Sequence, residues 1–139
     1  MRHFRIEVEI HAPTDRVWSV MTDFARWREW TPSVTSIEQL DPGPMVPGMR
    51  LLIRQPRLPP AVWRLTELKE GRSFQSVTGG PGVKVIARHG VEPALSGSRV
   101  TLSLEFAGFL GGIVGRLTRG LNERYLALEA AGLKQRSEG

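Results

Sequence analysis

Few residues in this chain are equipped for chemistry. Of its three histidines, His3 and His11 flank the first alternating stretch on its polar parity and read as solvated. His89 instead shares the parity of Val85, Ala87 and Val91, so it turns toward whatever those apolar side chains cover. An imidazole in that setting is either a hydrogen-bonded structural residue or an acid/base group. Tyr125, the only tyrosine, falls on the apolar side of a helical pattern, where its hydroxyl either donates to a ligand carbonyl or reaches solvent. These two are the catalytic candidates. Glu67 and Glu105 alternate with apolar neighbours and read as outward charges. The chain has no pair of carboxylates at useful spacing, no Ser-His-Asp order, no HExxH and no phosphate-binding glycine loop, and Gly79 to Gly82 reads as a hairpin turn. With no cysteine there is no disulfide, thiolate nucleophile or zinc-thiolate site, and neither a metal nor a cofactor is expected.

The apolar residues that would surround such groups come from strands and from one helix. Strand alternation nominates Leu51, Ile53, Trp63 and Leu65, then Phe74, Val85 and Ala87, as inward-facing. From Leu110 to Arg136 apolar residues recur in steps of three and four: Leu110, Ile113, Val114, Leu117, Leu121, Tyr125, Leu128 and Gly132. This spacing predicts a single helix of about 40 Å, with Leu110, Val114, Leu117, Leu121 and Tyr125 turned to the interior. Each of these side chains either packs the core or touches a ligand. Trp27 and Trp30 both read as sealing the base of the domain, with Trp30, beside Pro32, alternatively bordering the cavity entrance and Trp27 taken as packing. Gly111, Gly112, Gly115 and Gly120 weaken the first half of the helix, either for close packing against a sheet or for a flexible lid.

The elements that must position these residues follow in order. Phe4, Ile6, Val8 and Ile10 alternate with polar residues, giving a first strand. A short helix runs from about Pro13 to Met21, and a second from Asp23 ends before Pro32. Strands are predicted over Val34 to Leu40, Met49 to Arg54, Val62 to Leu68, Ser73 to Thr78, Val83 to Val91 and Arg99 to Phe106. Between the second and third of these, residues 55–60 hold three prolines and read as a loop or ragged edge. Short turns imply an antiparallel meander, with the first strand free to pair elsewhere. Seven strands with one face to cover and one long helix to cover it make an α+β domain.

With 139 residues and 40% hydrophobic content, the chain is expected to fold as one domain over residues 1–139. Its net charge of +5 comes from 16 arginines and 3 lysines scattered along the chain without interleaved aromatics, so no nucleic-acid partner is expected. The N-terminal stretch alternates in polarity and lacks an apolar h-region, and no window of 18 apolar residues occurs. A soluble cytoplasmic protein with no integral membrane association is expected, and a homodimer is left open.

The stretch from Ala12 to Pro32, with Val17-Trp18, Asp23-Phe24, Trp27 and Trp30 before Pro32, resembles the signature of polyketide cyclase/dehydrase-like proteins. These belong to the START-related, birch-pollen-allergen-like (SRPBCC) superfamily. Gly48 before the third strand and the long terminal helix extend the likeness over the whole chain. The resemblance implies a helix-grip fold: a curved seven-stranded antiparallel sheet wrapped around the long helix, two short helices closing one end, and a hydrophobic cavity between. It also implies aromatase/cyclase relatives whose cavities carry arginine, tyrosine or histidine, although no motif here matches them residue by residue. Two functions are expected. The first is binding, and carriage, of a small hydrophobic ligand such as a lipid, polyketide or aromatic compound. The alternative is a polyketide cyclase/aromatase or dehydratase acting by acid/base chemistry in the same cavity.

Overall fold

The computed structural model describes residues 2–139. Alternating side chains give seven strands: β1 (Arg2–Ile10), β2 (Ser36–Gln39), β3 (Arg50–Arg54), β4 (Ala61–Lys69), β5 (Ser73–Gly80), β6 (Val83–Ala94) and β7 (Gly97–Ala107). All neighbours are antiparallel, in the order β1-β7-β6-β5-β4-β3-β2. Each strand from β2 to β7 pairs with the next, because the links are too short for any other partner. β1 joins the far edge, pairing Arg2 with Phe106 and Ile10 with Ser98. The β5–β6 link is only Pro81 and Gly82: proline presets one dihedral and Gly82 takes a φ of 78°, which strains other residues. The longer β2–β3 link is held by Asp41, whose carboxylate accepts from the Arg50 backbone N–H at 2.9 Å and from its guanidinium at 2.9 and 3.0 Å.

Two short helical segments follow β1, namely α1 (Thr14–Thr22) and a 3-10 helix (Phe24–Glu29). The chain ends in α2 (Gly111–Leu117) and α3 (Arg119–Glu138). Here the single helix expected over Leu110 to Arg136 needs correction, because it is broken at Thr118. The Thr118 hydroxyl donates to the Val114 carbonyl at 2.7 Å, alongside the Thr118 N–H at 3.0 Å, and accepts from the Asn122 amide at 2.9 Å, and such back-bonding bends a helix.

The face is corrected too. On α2 the contact surface is Gly111 and Gly115: a Cβ on Gly111 would lie 2.8 Å from the Phe106 carbonyl, and one on Gly115 would lie 2.7 Å from Arg2 Cβ. Backbone therefore sits against strand, and the larger residues turn outward, with Leu117 80% exposed and Leu110 and Ile113 also exposed. On α3 the buried residues are Asn122, Leu126, Ala130, Gly132, Leu133 and Ser137, while Leu121, Tyr125 and Leu128 are half-buried. Spacing of three and four does not reveal whether the buried stripe is made of large or small side chains.

The second half of α3, α1 and the 3-10 helix close one end over a solid core that includes Ile10, Met21, Leu65, Leu102 and Leu133. Trp27 Nε1 donates to the Met21 carbonyl at 3.0 Å, satisfying its buried polar atom. Polar ties pin the end of α3 to the β1–α1 corner. Lys134 donates to the Glu9 carbonyl at 2.9 Å, Arg136 to Glu29 at 2.6 Å, and the His11 backbone N–H to Glu138 at 2.8 Å. The His11 N–H and the Lys134 ammonium hold the Glu138 carboxyl below its ordinary range, and Arg136 does the same to Glu29. Among the described residues no helix is long and apolar enough to cross a membrane.

Candidate functional site

Because the core is solid only at that end, the sheet and the α2–α3 break leave a cavity of about 550 Å³ between them. Inward alternation on successive strands supplies Leu51 and Ile53 from β3, Trp63 from β4, Phe74 from β5, and Val85 and Ala87 from β6. Val114, Tyr125 and Leu126 face them from the helices.

Polar residues interrupt this largely apolar wall, among them Ser76, Ser103 and Asn122, and one pair of titratable groups faces across it. His89 Nε2 lies 2.6 Å from Glu129 Oε1, joining β6 to α3 across the cavity, and both side chains are largely buried. At that distance one proton is shared between the imidazole nitrogen and the carboxyl oxygen. The imidazole is held on its faces and edges: it stacks on Phe74 with ring centres 4.5 Å apart and planes at 10°, and meets Trp27 edge-on at 5.4 Å. Its Nδ1 is buried with no hydrogen-bond partner, an energetic cost that a purely structural histidine normally avoids. Such a pair can relay a proton, or can present one polar point to an otherwise apolar guest.

Other groups border the mouth. The loop after β3 (residues 55–60) folds back over α3, and the Tyr125 hydroxyl donates to the Pro56 carbonyl. Tyr125 thus spends its hydroxyl on the loop, a third role beside the two expected of it. In the same loop Arg57 has a φ of 67°, the position in a Pro-X turn that glycine usually fills.

Of the residues nominated from sequence, Leu51, Ile53, Trp63, Phe74, Val85, Ala87, Val114 and Tyr125 line this cavity, as does His89. Five do not. Leu65 is fully buried in the solid core. Leu110 and Leu117 point outward from α2, and Leu121 lies away from the cavity on the half-exposed side of α3. Trp30 covers Gly132, where a Cβ would collide with the Trp30 carbonyl, which is the packing alternative for it rather than the cavity entrance, and Trp27 is among the lining residues. Sequence reasoning missed Glu129, Asn122 and Leu126. The signal available was a carboxylate three and four residues from the apolar Leu126 and Leu133, inside rather than opposite the buried stripe.

The sequence matches, over residues 1–138, the family described as polyketide cyclase / dehydrase and lipid transport. The chain belongs to this family. No curated protein matches it in sequence. Among solved structures, the Zhui aromatase/cyclase from Streptomyces sp. R1128 superposes with a TM-score of 0.78 at 17% identity, covering 99% of this chain and 93% of that one. A Thermobifida fusca protein gives 0.79 at 22% identity, with 99% and 93% covered. Ara h 8.0201 gives 0.68 at 16% identity, with 95% and 97% covered. At these identities the likeness establishes the fold, which is the helix-grip arrangement that the sequence resemblance implied.

Proposed function

We propose that this family member takes up a small hydrophobic molecule, a lipid, polyketide or aromatic compound, in the cavity between the sheet and α2–α3. The observation that carries this reading is the cavity: about 550 Å³, walled mainly by aliphatic and aromatic side chains, with a few polar groups and the buried His89–Glu129 pair among them. A guest burying roughly 300 Å² of apolar surface gains about 7 kcal/mol before the cost of immobilising it. His89 and Glu129 then orient the guest by a single carbonyl or hydroxyl. Native mass spectrometry of protein purified from its own source tests this directly. A retained apolar mass is expected, displaced by an environment-sensitive dye, and protein that neither retains a guest nor binds the dye would refute it.

The His89–Glu129 pair also supports a second reading, a cyclase/aromatase or dehydratase. In an aldol closure, His89 would take a proton from a carbon between two carbonyls, the carbanion would add to a third carbonyl, and the new alkoxide would take that proton back from the imidazolium; the imidazole would then remove a second proton from the same carbon and deliver it to the departing hydroxyl, which leaves as water. Glu129 would hold the imidazole and balance its charge. A panel of polyketide-like substrates separates the readings: turnover that disappears in His89→Ala while dye binding persists favours the enzyme, and no turnover in either protein favours the carrier. A cytoplasmic site of action belongs to this proposal as well and is checked by cell fractionation.

A further inference from the structure

The described residues include eight large apolar side chains that are exposed, and six of them frame the cavity mouth: Leu58, Val62, Phe109, Leu110, Ile113 and Leu117. Leu58 and Val62 line the cavity from the β3–β4 side. Across from them, Phe109 and Leu110 lie over the β5–β6 hairpin, each within about 3 Å of where a Cβ on Gly82 would be. Ile113 and Leu117 continue that side of α2, next to the cavity-lining Val114 and Thr118. Phe109 and Leu117 are the most exposed of the six, at 85% and 80%.

The charges around these residues have one sign. Residues 55–63, 77–85 and 106–121, which supply the rim, contain Arg57, Lys84, Arg116 and Arg119 and not one of the chain's 14 carboxylates. Arg119 pairs with Glu123 just beyond the rim, at 2.9 Å, and the other three have no ion-pair partner among the described residues. The strained turn at Arg57 projects a cation and the neighbouring Leu58 together.

We propose that the mouth face is a peripheral docking surface for an anionic lipid bilayer, with Phe109, Ile113 and Leu117 entering the acyl boundary and Arg57 and Arg116 meeting headgroups. Apolar side chains in a ring of cations suit a surface that is anionic outside and hydrocarbon within. A second copy of this chain would bring the same cations together and repel. Docking there would put the mouth at the hydrocarbon edge, so an apolar guest would cross without passing through water, whichever guest it is.

Co-sedimentation with phosphatidylcholine vesicles, with and without phosphatidylglycerol, tests the surface. Binding is expected to the mixed vesicles, to fall with added salt, and to weaken by about tenfold or more in Phe109→Ser/Ile113→Ser/Leu117→Ser and in Arg57→Glu/Arg116→Glu. Val46→Ser/Leu95→Ser, exposed but away from the mouth, should bind as the unaltered protein does. The charge-reversed pair touches only exposed side chains and decides the matter if the triple variant does not fold. The proposal is overturned if the unaltered protein ignores anionic vesicles at low salt, or if the Val46/Leu95 control weakens as much as the mouth variants. It is also overturned by a dimer in sedimentation that the triple change dissolves while vesicle binding is absent.

Discussion

His89 shows how far a single residue can be read. Its parity with Val85 and Ala87 turns it inward, and that much follows from the period of a strand. Its partner Glu129 lies 40 positions away and meets it only because α3 crosses β6, which no local pattern records. If the pair is coupled, Glu129→Ala should destabilise the fold by about 1–3 kcal/mol by stranding the imidazole, and His89→Ala/Glu129→Ala should cost less than the sum of the singles. Urea melts of the three variants measure the coupling, and strict additivity would deny it. Asp41 supports a different prediction, in acid. Hydrogen bonds from Arg50 lower its carboxyl from 3.8 to about 2, so its contribution is present above the ordinary value and is lost as pH falls from about 4 to 2. The stability of the unaltered protein should therefore decline across that window more steeply than that of Asp41→Asn. Parallel slopes would mean that the β2–β3 link does not sense this ionisation.

At the scale of elements, the strands were legible and the terminal helix only partly so. Period-two alternation located each strand to within a few residues, because a half-buried sheet enforces it. The helix misled because Gly111 and Gly115, not the leucines, make the α2 contact, and because the break at Thr118 lets α3 bury a different stripe. Two comparisons check the corrected face. Leu133→Asp places a charge at a position 1% exposed and should cost upward of about 3 kcal/mol, whereas Leu117→Asp should stay within about 0.5 kcal/mol. Denaturant midpoints distinguish them, and equal losses would restore the face read from spacing. Among the glycines, Gly120 has nothing within 4 Å of an added Cβ, so Gly120→Ala should raise stability by about 1 kcal/mol. Gly132→Ala should lower it by more than that gain, since the new methyl meets the Trp30 carbonyl. Calorimetry of both variants, with opposite shifts in Tm expected, tests the close-contact role.

For the molecule as a whole, the cavity lies where the core is not filled, so filling it should cost binding before it costs the fold. Val85→Trp, on the half-buried cavity wall, should lower dye affinity by about tenfold or more while changing stability by no more than about 1–3 kcal/mol. Fluorescence titration beside a thermal melt reads both, and undiminished affinity would place the dye elsewhere. The presence of a cavity was implied by family resemblance alone, since inward alternation looks the same whether the space between sheet and helix is filled or empty. The pairing of β1 with β7 has another consequence, for how the chain is made. Ile10 meets Ser98 and Arg2 meets Phe106, so the first strand has no partner until nearly 100 more residues have been synthesised. At about 5–20 residues per second, that leaves an alternating, β-prone segment unattended on the ribosome for roughly 5–20 s. Over that interval the Arg5, Glu7 and Glu9 side chains along its polar face are its own protection against pairing with a neighbouring chain.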